Sequence, residues 1–319
     1  VRAFDSALDI RRVFIYILYV KPLGNGTPVI AEGLCKSYGP FVALSDVDLR
    51  VDHGEIVAVL GPNGAGKTTL IEILEGFRRP SGGRVEVLGQ DPASGGRQFR
   101  ERVGLMLQQC EPEPYLTVAE LLELYRGYYE ASRSVRELVA LVGLHEKTRS
   151  RVRNLSGGQR RRLDMAVALV GNPTILFMDE PTTGFDPEAR RLAWQTVREL
   201  RRQGTTIVLT THYLEEAEAL ADRVVVLAGG QVRADGSPRT LGARDKAVAR
   251  ISFAPLGAMG PEELPVSVEV ASTSWSVQAE SPTKALAVLA SWAVERGLEL
   301  DELSVSRPSL EDTYLELIR

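Results

Sequence analysis

The spacing of apolar positions changes character several times along the chain. Residues 29–34, 47–51 and 55–60 read as strands, and the third runs directly into a turn carrying Gly61, Gly64 and Gly66. Residues 68–76 then follow a helical pattern, and residues 84–88 form a short strand bounded by Gly82, Gly83 and Gly89. From 94 to about 170 the pattern is mostly helical, with heptad-like leucines over 118–125 and 135–142. Continuous apolar runs return at 174–178, 205–210 and 223–227, as expected of parallel strands covered on both faces. The sheet core is therefore split by a helical insert. After Thr240 a second pattern begins, with strands at 249–253, 266–270 and 275–279 and a helix at 282–296. Ser309, with Asp312 three residues on, forms a capping box for a last helix over 310–318. These periods predict an α/β domain with a mostly parallel sheet and a small α+β tail.

Residues 13–20 are apolar, preceded by Arg11 and Arg12 and closed by Lys21. A membrane-spanning helix needs roughly 20 apolar residues, so this run is too short. It has the length of a signal-peptide core, but Pro22, Leu23, Gly24 and Asn25 follow where a small-x-small cleavage site would stand. We read residues 1–27 as an over-extended translation start, with an interfacial anchor as the second choice. The 319 residues are 44% hydrophobic and 25% charged, in the globular range, and the net charge of -4 gives no basic footprint for nucleic acid. Two cysteines, Cys35 and Cys110, make neither a disulfide framework nor a zinc quartet, and they fit a reducing compartment.

The chemistry begins at Gly61-Pro62-Asn63-Gly64-Ala65-Gly66-Lys67-Thr68-Thr69, a P-loop pattern between an expected strand and helix. Glycines let backbone N–H groups converge on phosphate oxygens, and the helix N-terminus adds positive potential. Lys67 would reach the β and γ phosphates of ATP, and the Thr68 hydroxyl would bind Mg²⁺. Ile175-Leu176-Phe177-Met178 followed by Asp179 and Glu180 is a Walker B pattern, a buried strand ending in two acids at the ligand edge of the sheet. Asp179 is expected to hold Mg²⁺ through water, and Glu180 to polarise the attacking water as general base.

Leu155-Ser156-Gly157-Gly158-Gln159 opens a helix just upstream of Walker B, and with it the chain resembles the ATP-binding cassette family. The resemblance implies that Ser156, Gly157, Gly158 and Gln159 contact the γ phosphate held by a second subunit, so that the site is completed in a dimer. It further implies that Gln108, with Gln109 as the alternate, is the Q-loop residue contacting Mg²⁺ and water, and that Asp186 belongs to the D-loop. His212 resembles the switch histidine at the γ phosphate, and Tyr38 the aromatic that stacks on adenine. The fold it implies is a P-loop NTPase cassette with an antiparallel β subdomain and a helical subdomain over residues 28–240, followed by an accessory α+β domain over 241–319.

The stretch from Pro308 to Glu316 resembles the terminus of ATPase subunits serving type-2 exporters, the daunorubicin-resistance branch among them. The expected function is ATP hydrolysis powering export through a separately encoded ABC permease, as a homodimer on the inner face of the cell membrane and without nucleic acid. A non-transport cassette ATPase, in repair or on the ribosome, or another P-loop NTPase, is the alternative. A chromosome-type cassette would place a long coiled coil between Gln108 and Ser156, a ribosome-associated factor would carry two cassettes, and a P-loop kinase has no use for a signature helix.

Overall fold

The computed structural model describes residues 26–106, 113–243, 248–257, 259–271 and 274–318. The expected N-terminal extension up to residue 25, together with Gln108, Gln109 and Cys110, lies outside the described residues. The chain divides into two compact units, Val1–Arg233 and Ala234–Arg319.

The first unit starts with β1 (Val29–Tyr38), which pairs antiparallel with β2 (Phe41–Val51) on one side and β4 (Gly82–Val87) on the other. Both β1 and β2 run well beyond the expected 29–34 and 47–51. Their extra residues pair across a tight turn, Tyr38 against Phe41; Tyr38, Phe41 and Val42 at its tip are exposed, while Ala43 and Leu44 are buried.

A second sheet has the strand order β5-β6-β7-β3-β8-β9. Its members are β3 (Ile56–Leu60), β5 (Val103–Met106), β6 (Ile175–Asp179), β7 (Thr206–Thr211), β8 (Arg223–Ala228) and β9 (Gln231–Gly236). Strands β3, β5, β6, β7 and β8 are parallel, and every residue of β3, β6 and β7 is buried, including Asp179 at the end of β6 and Thr206, Thr210 and Thr211 of β7. Among the described residues, 94–170 hold four α-helices, as expected of a mostly helical segment, and β5 is one strand among them that the pattern did not show. Four residues, Val-Gly-Leu-Met, are too few to show a period, yet they pair with Ile175–Met178 at the sheet's edge.

Helix α1 (Lys67–Leu74) joins the two sheets: Leu70, Ile73 and Leu74 share one apolar cluster with Val29, Leu34 and Leu49 of the antiparallel sheet and Val57, Phe177 and Val208 of the parallel one. The short α2 (Arg97–Arg102) leads into β5. The insert holds α3 (Val118–Arg126), α4 (Val135–Leu141) and α5 (Gly157–Ala168), each opened by a capping box: Thr117 with Glu120, Ser134 with Glu137, Ser156 with Gln159. α6 (Pro187–Arg202) and α7 (Leu214–Leu220) follow β6 and β7.

In the second unit β10 (Ala249–Phe253), β11 (Glu269–Val270), β12 (Trp275–Ala279) and β13 (Ser304–Ser306) form an antiparallel sheet in the order β11-β12-β10-β13. α8 (Pro282–Glu295) covers it, and Phe253, Trp275, Val277, Leu289 and Trp292 make its core. The expected strand over 266–270 shrinks to two residues, and β13, all serine and valine and exposed, had no pattern to betray it. The final helix α9 (Leu310–Leu317) carries the expected Ser309–Asp312 box.

Candidate functional site

Because β3, β6 and β7 are parallel neighbours, the residues that follow them meet at one edge of the sheet: the turn after Leu60, the acids after Met178 and His212 after Thr211. The turn is shaped by close backbone approach. A side chain at Gly61 would lie 2.2 Å from the Leu227 carbonyl oxygen, and Gly66, the N-cap of α1 at φ 102°, would drive one to 2.5 Å from the Ala43 oxygen. The first N–H groups of α1 have no partner within the helix and point back into this loop. Lys67, 6% exposed, folds over the loop and donates to the carbonyls of Gly61 at 2.7 Å and Pro62 at 3.1 Å. Burial pulls its pKa down, against the opposing pull of Glu180 and Asp179. Pro62, Asn63 and Gly64 are exposed, as is Thr68, while Ala65 is buried and Thr69 half-buried.

The acid pair is held from several elements. Asp179, buried, accepts from Thr68 Oγ1 at 3.4 Å through Oδ2 and from Thr210 Oγ1 through Oδ1. Glu180 sits at φ 46°, in the left-handed region unusual for a residue with a side chain. Its N–H donates to Thr210 Oγ1 at 3.0 Å, and its Oε1 lies 3.1 Å from His212 Nδ1. Thr183 Oγ1 donates to its Oε2 at 3.3 Å. From α5, the buried Arg161 donates through Nη2 to the carbonyls of Asp179 at 2.9 Å and Glu180 at 3.2 Å.

Three further carboxyls are buried nearby. Glu75, at the end of α1, is pushed up to about 8 by burial and by the charges of Asp179 and Glu72, and its Oε1 has no hydrogen-bond partner. Burial raises Asp164 to about 6 despite Arg161 and Arg160, and its Oδ1 is likewise unpartnered. Glu216 is raised by burial as well, although Thr182 Oγ1 at 2.8 Å and Trp194 Nε1 at 3.2 Å both donate to its Oε1.

The remaining expected residues occupy different settings. Ser156 caps α5, its Oγ accepting from the Gln159 N–H at 3.3 Å while Gln159 Oε1 accepts from the Ser156 N–H at 3.0 Å. Ser156 and Gly157 face solvent, and nothing lies within 4 Å of where a Gly157 side chain would begin. Asp186 accepts from the Ala189 N–H at 2.7 Å and caps α6, with Pro187 in the first turn. Tyr38 is 39% exposed at the end of β1, with Lys36 Nζ 5.2 Å and the Arg78 guanidinium 5.5 Å from its ring centroid. Thr210, Arg161, Glu75 and Asp164 were not expected at the site. Thr210 was signalled by its place as a polar residue in an apolar strand, and Asp164 by its place on the apolar face of α5.

Residues 44–183 match the family described as ABC transporter, and residues 249–309 match the family described as ABC transporter domain-containing protein-like, C-terminal domain. The chain is 40% identical over 304 residues to a daunorubicin resistance ATP-binding protein of Streptomyces coeruleorubidus, covering 91% of this chain and 96% of that protein. It is 42% identical over 211 residues to a Nod factor export ATP-binding protein I of Cupriavidus pinatubonensis, covering 65% of each. Among solved structures, an ATP-binding subunit of an ABC transporter superimposes with a TM-score of 0.61 at 30% identity, over 67% of this chain and 91% of that one. A dimeric, post-hydrolysis ATP-binding cassette bound to ADP and Pi gives a TM-score of 0.60 at 28% identity, over 66% and 98% of the two chains.

Proposed function

Since the chain belongs to the ATP-binding subunits of ABC transporters and is an ATPase, we propose that it hydrolyses ATP at the Lys67–Asp179–Glu180–His212 cluster and thereby powers export through a separate membrane permease. The observation that carries the site assignment is the Glu180 carboxylate, held at the ligand edge of the sheet by a left-handed backbone and set 3.1 Å from His212. ATP lies with its phosphates on the 61–69 loop, where Lys67 exchanges the carbonyls of Gly61 and Pro62 for phosphate oxygens. The adenine stacks on Tyr38, whose ring already attracts two cations. Glu180 takes the proton of the attacking water, and His212 orients the carboxylate and the γ phosphate.

The Thr68 hydroxyl and the Asp179 carboxylate, 3.4 Å apart, are the hard oxygen donors suited to Mg²⁺, with Gln108 the further candidate. When bound, Mg²⁺ neutralises charge on the phosphates. Ser156, Gly157, Gly158 and Gln159 act on the nucleotide of a second copy, as the solvent exposure of Ser156 and Gly157 within one chain favours, and Asp186 lies at the same dimer contact. Among the described residues no helix is long and apolar enough to cross a membrane. The relatives' roles in resistance and export favour a place for the subunit on the inner face of the cell membrane, against a permease. Its accessory domain begins near residue 241. Residues 1–27, which carry none of the motifs, are dispensable for hydrolysis. The cargo is of the kind the relatives' names give, daunorubicin or a Nod factor.

Glu180→Gln is the test. It should bind ATP as the wild type does, lose nearly all turnover, and form a dimer on sizing chromatography with ATP and none with ADP. Wild-type turnover in this variant would remove Glu180 from the chemistry.

A further inference from the structure

α5 carries at its first turn the residues proposed to touch the partner's nucleotide, and one turn further on Arg161, whose guanidinium is turned inward onto the chain's own acid pair. Arg161 is 9% exposed, and a buried guanidinium must satisfy its donors. Nη2 does so on two successive main-chain carbonyls, those of Asp179 and Glu180, at 2.9 and 3.2 Å. These carbonyls belong to the two peptides on either side of the Glu180 Cα, whose backbone is left-handed. On the opposite side, Thr210 Oγ1 receives the Glu180 N–H. The turn is thus gripped from β7 by a hydroxyl and from α5 by a charge-assisted pair of hydrogen bonds, which are about twice as strong as neutral ones.

We propose that Arg161 is a positioning residue that couples the two ATP sites of the dimer: it ties the helix that senses the partner subunit's nucleotide to the backbone that sets Glu180 in its own site. The proposal rests on Glu180 acting as base and on Ser156–Gln159 acting in trans. A shift of α5 on engaging the partner's nucleotide would be carried by a short rigid link, one helical turn and one guanidinium, to the carboxylate next to His212. Each site would then hydrolyse best when the opposite site is filled.

The test uses full-length Arg161→Met and Arg161→Lys, with Arg161→Gln to be read in place of Arg161→Met should the latter fail to fold. Readouts are binding of a fluorescent ATP analogue, kcat, the Hill coefficient for ATP, and single-turnover rates with and without Glu180→Gln. Arg161→Met should change analogue Kd less than about twofold, lower kcat at least about tenfold and bring the Hill coefficient to about 1. Arg161→Lys, whose ammonium can still reach a carbonyl, should recover part of kcat. In the Glu180→Gln background the same change should cost less than about twofold more, because a residue that acts through Glu180 has nothing left to position. A merely structural Arg161 would lower melting temperature and leave kcat per folded molecule and the Hill coefficient as they were; that result, or losses that multiply in the double variant, would overturn the proposal. Wild-type turnover in Glu180→Gln alone would instead overturn the assignment of the base.

Discussion

Thr210 does the work of two caps at a single atom: its hydroxyl donates to Asp179 Oδ1 and accepts the Glu180 N–H at 3.0 Å. Thr210→Val keeps shape and removes both bonds in a fully buried position. Leaving such groups unpaired costs about 1–3 kcal/mol. We expect a loss of that size in denaturant unfolding, together with a kcat at least about tenfold lower, while Thr210→Ser retains both. Glu75 makes a different prediction. Its folded pKa, about 8, lies above the ordinary 4.5, so the folded chain keeps a proton that the unfolded chain releases. Its contribution is most favourable below pH 4.5 and is lost as pH rises toward 8. The full difference is on the order of 5 kcal/mol at about 1.4 per pH unit. Glu75→Gln should therefore raise the melting temperature over wild type much more at pH 8.5 than at pH 5, and an equal gain at both would show that the carboxyl is not buried in its charged form at the higher pH.

At the level of elements, Ser156 joins two duties that chemistry keeps compatible. Its oxygen accepts from the Gln159 N–H, which leaves the hydroxyl proton to donate to a phosphate. Ser156→Ala should cost about 1 kcal/mol of stability by the loss of the cap. Ser156→Arg should in addition abolish hydrolysis while sparing analogue binding, since on the proposed two-copy site the bulky cation would stand in the way of the second copy's γ phosphate. The P-loop and the two acids after Met178 were legible in the sequence as a glycine-rich turn between strand and helix and a buried strand ending in carboxylates, whereas Ser156–Gln159, Asp186, His212 and Tyr38 were marked by the resemblance to the cassette family. The parts that were not legible share a physical cause. β5 is four residues long, β13 is solvent-exposed, and the tip of the β1–β2 hairpin, Tyr38, Phe41 and Val42, is held by pairing with its side chains exposed, so none shows an alternation. Arg161 stands in a run with Arg160 and Arg162, and nothing local tells which arginine of such a run turns inward. Only the position of Asp179 and Glu180 across the fold does so.

For the whole molecule, the two units have separate cores, one around Leu70, Phe177 and Val208 and one around Phe253, Trp275 and Trp292. Calorimetry should resolve two transitions, with Trp275→Ala lowering only the second unit's by about 3–5 kcal/mol; a single transition shifted as a block would show the units to be one cooperative body. The two-copy site makes its own test. Lys67→Ala and Ser156→Arg chains, each inactive, should on mixing regain part of the activity, because one of the two interfaces in a heterodimer is then wholly wild type.

The left-handed backbone at Glu180 sets efficiency against durability. A side chain there stores roughly 1 kcal/mol that glycine would release. Glu180→Gly should thus melt higher than Glu180→Ala while both are inactive. With Glu180 as the proposed base, a screen of this protein for heat resistance alone would drift toward glycine at the position on which turnover depends, so directed evolution of the subunit must select for hydrolysis and thermal survival together.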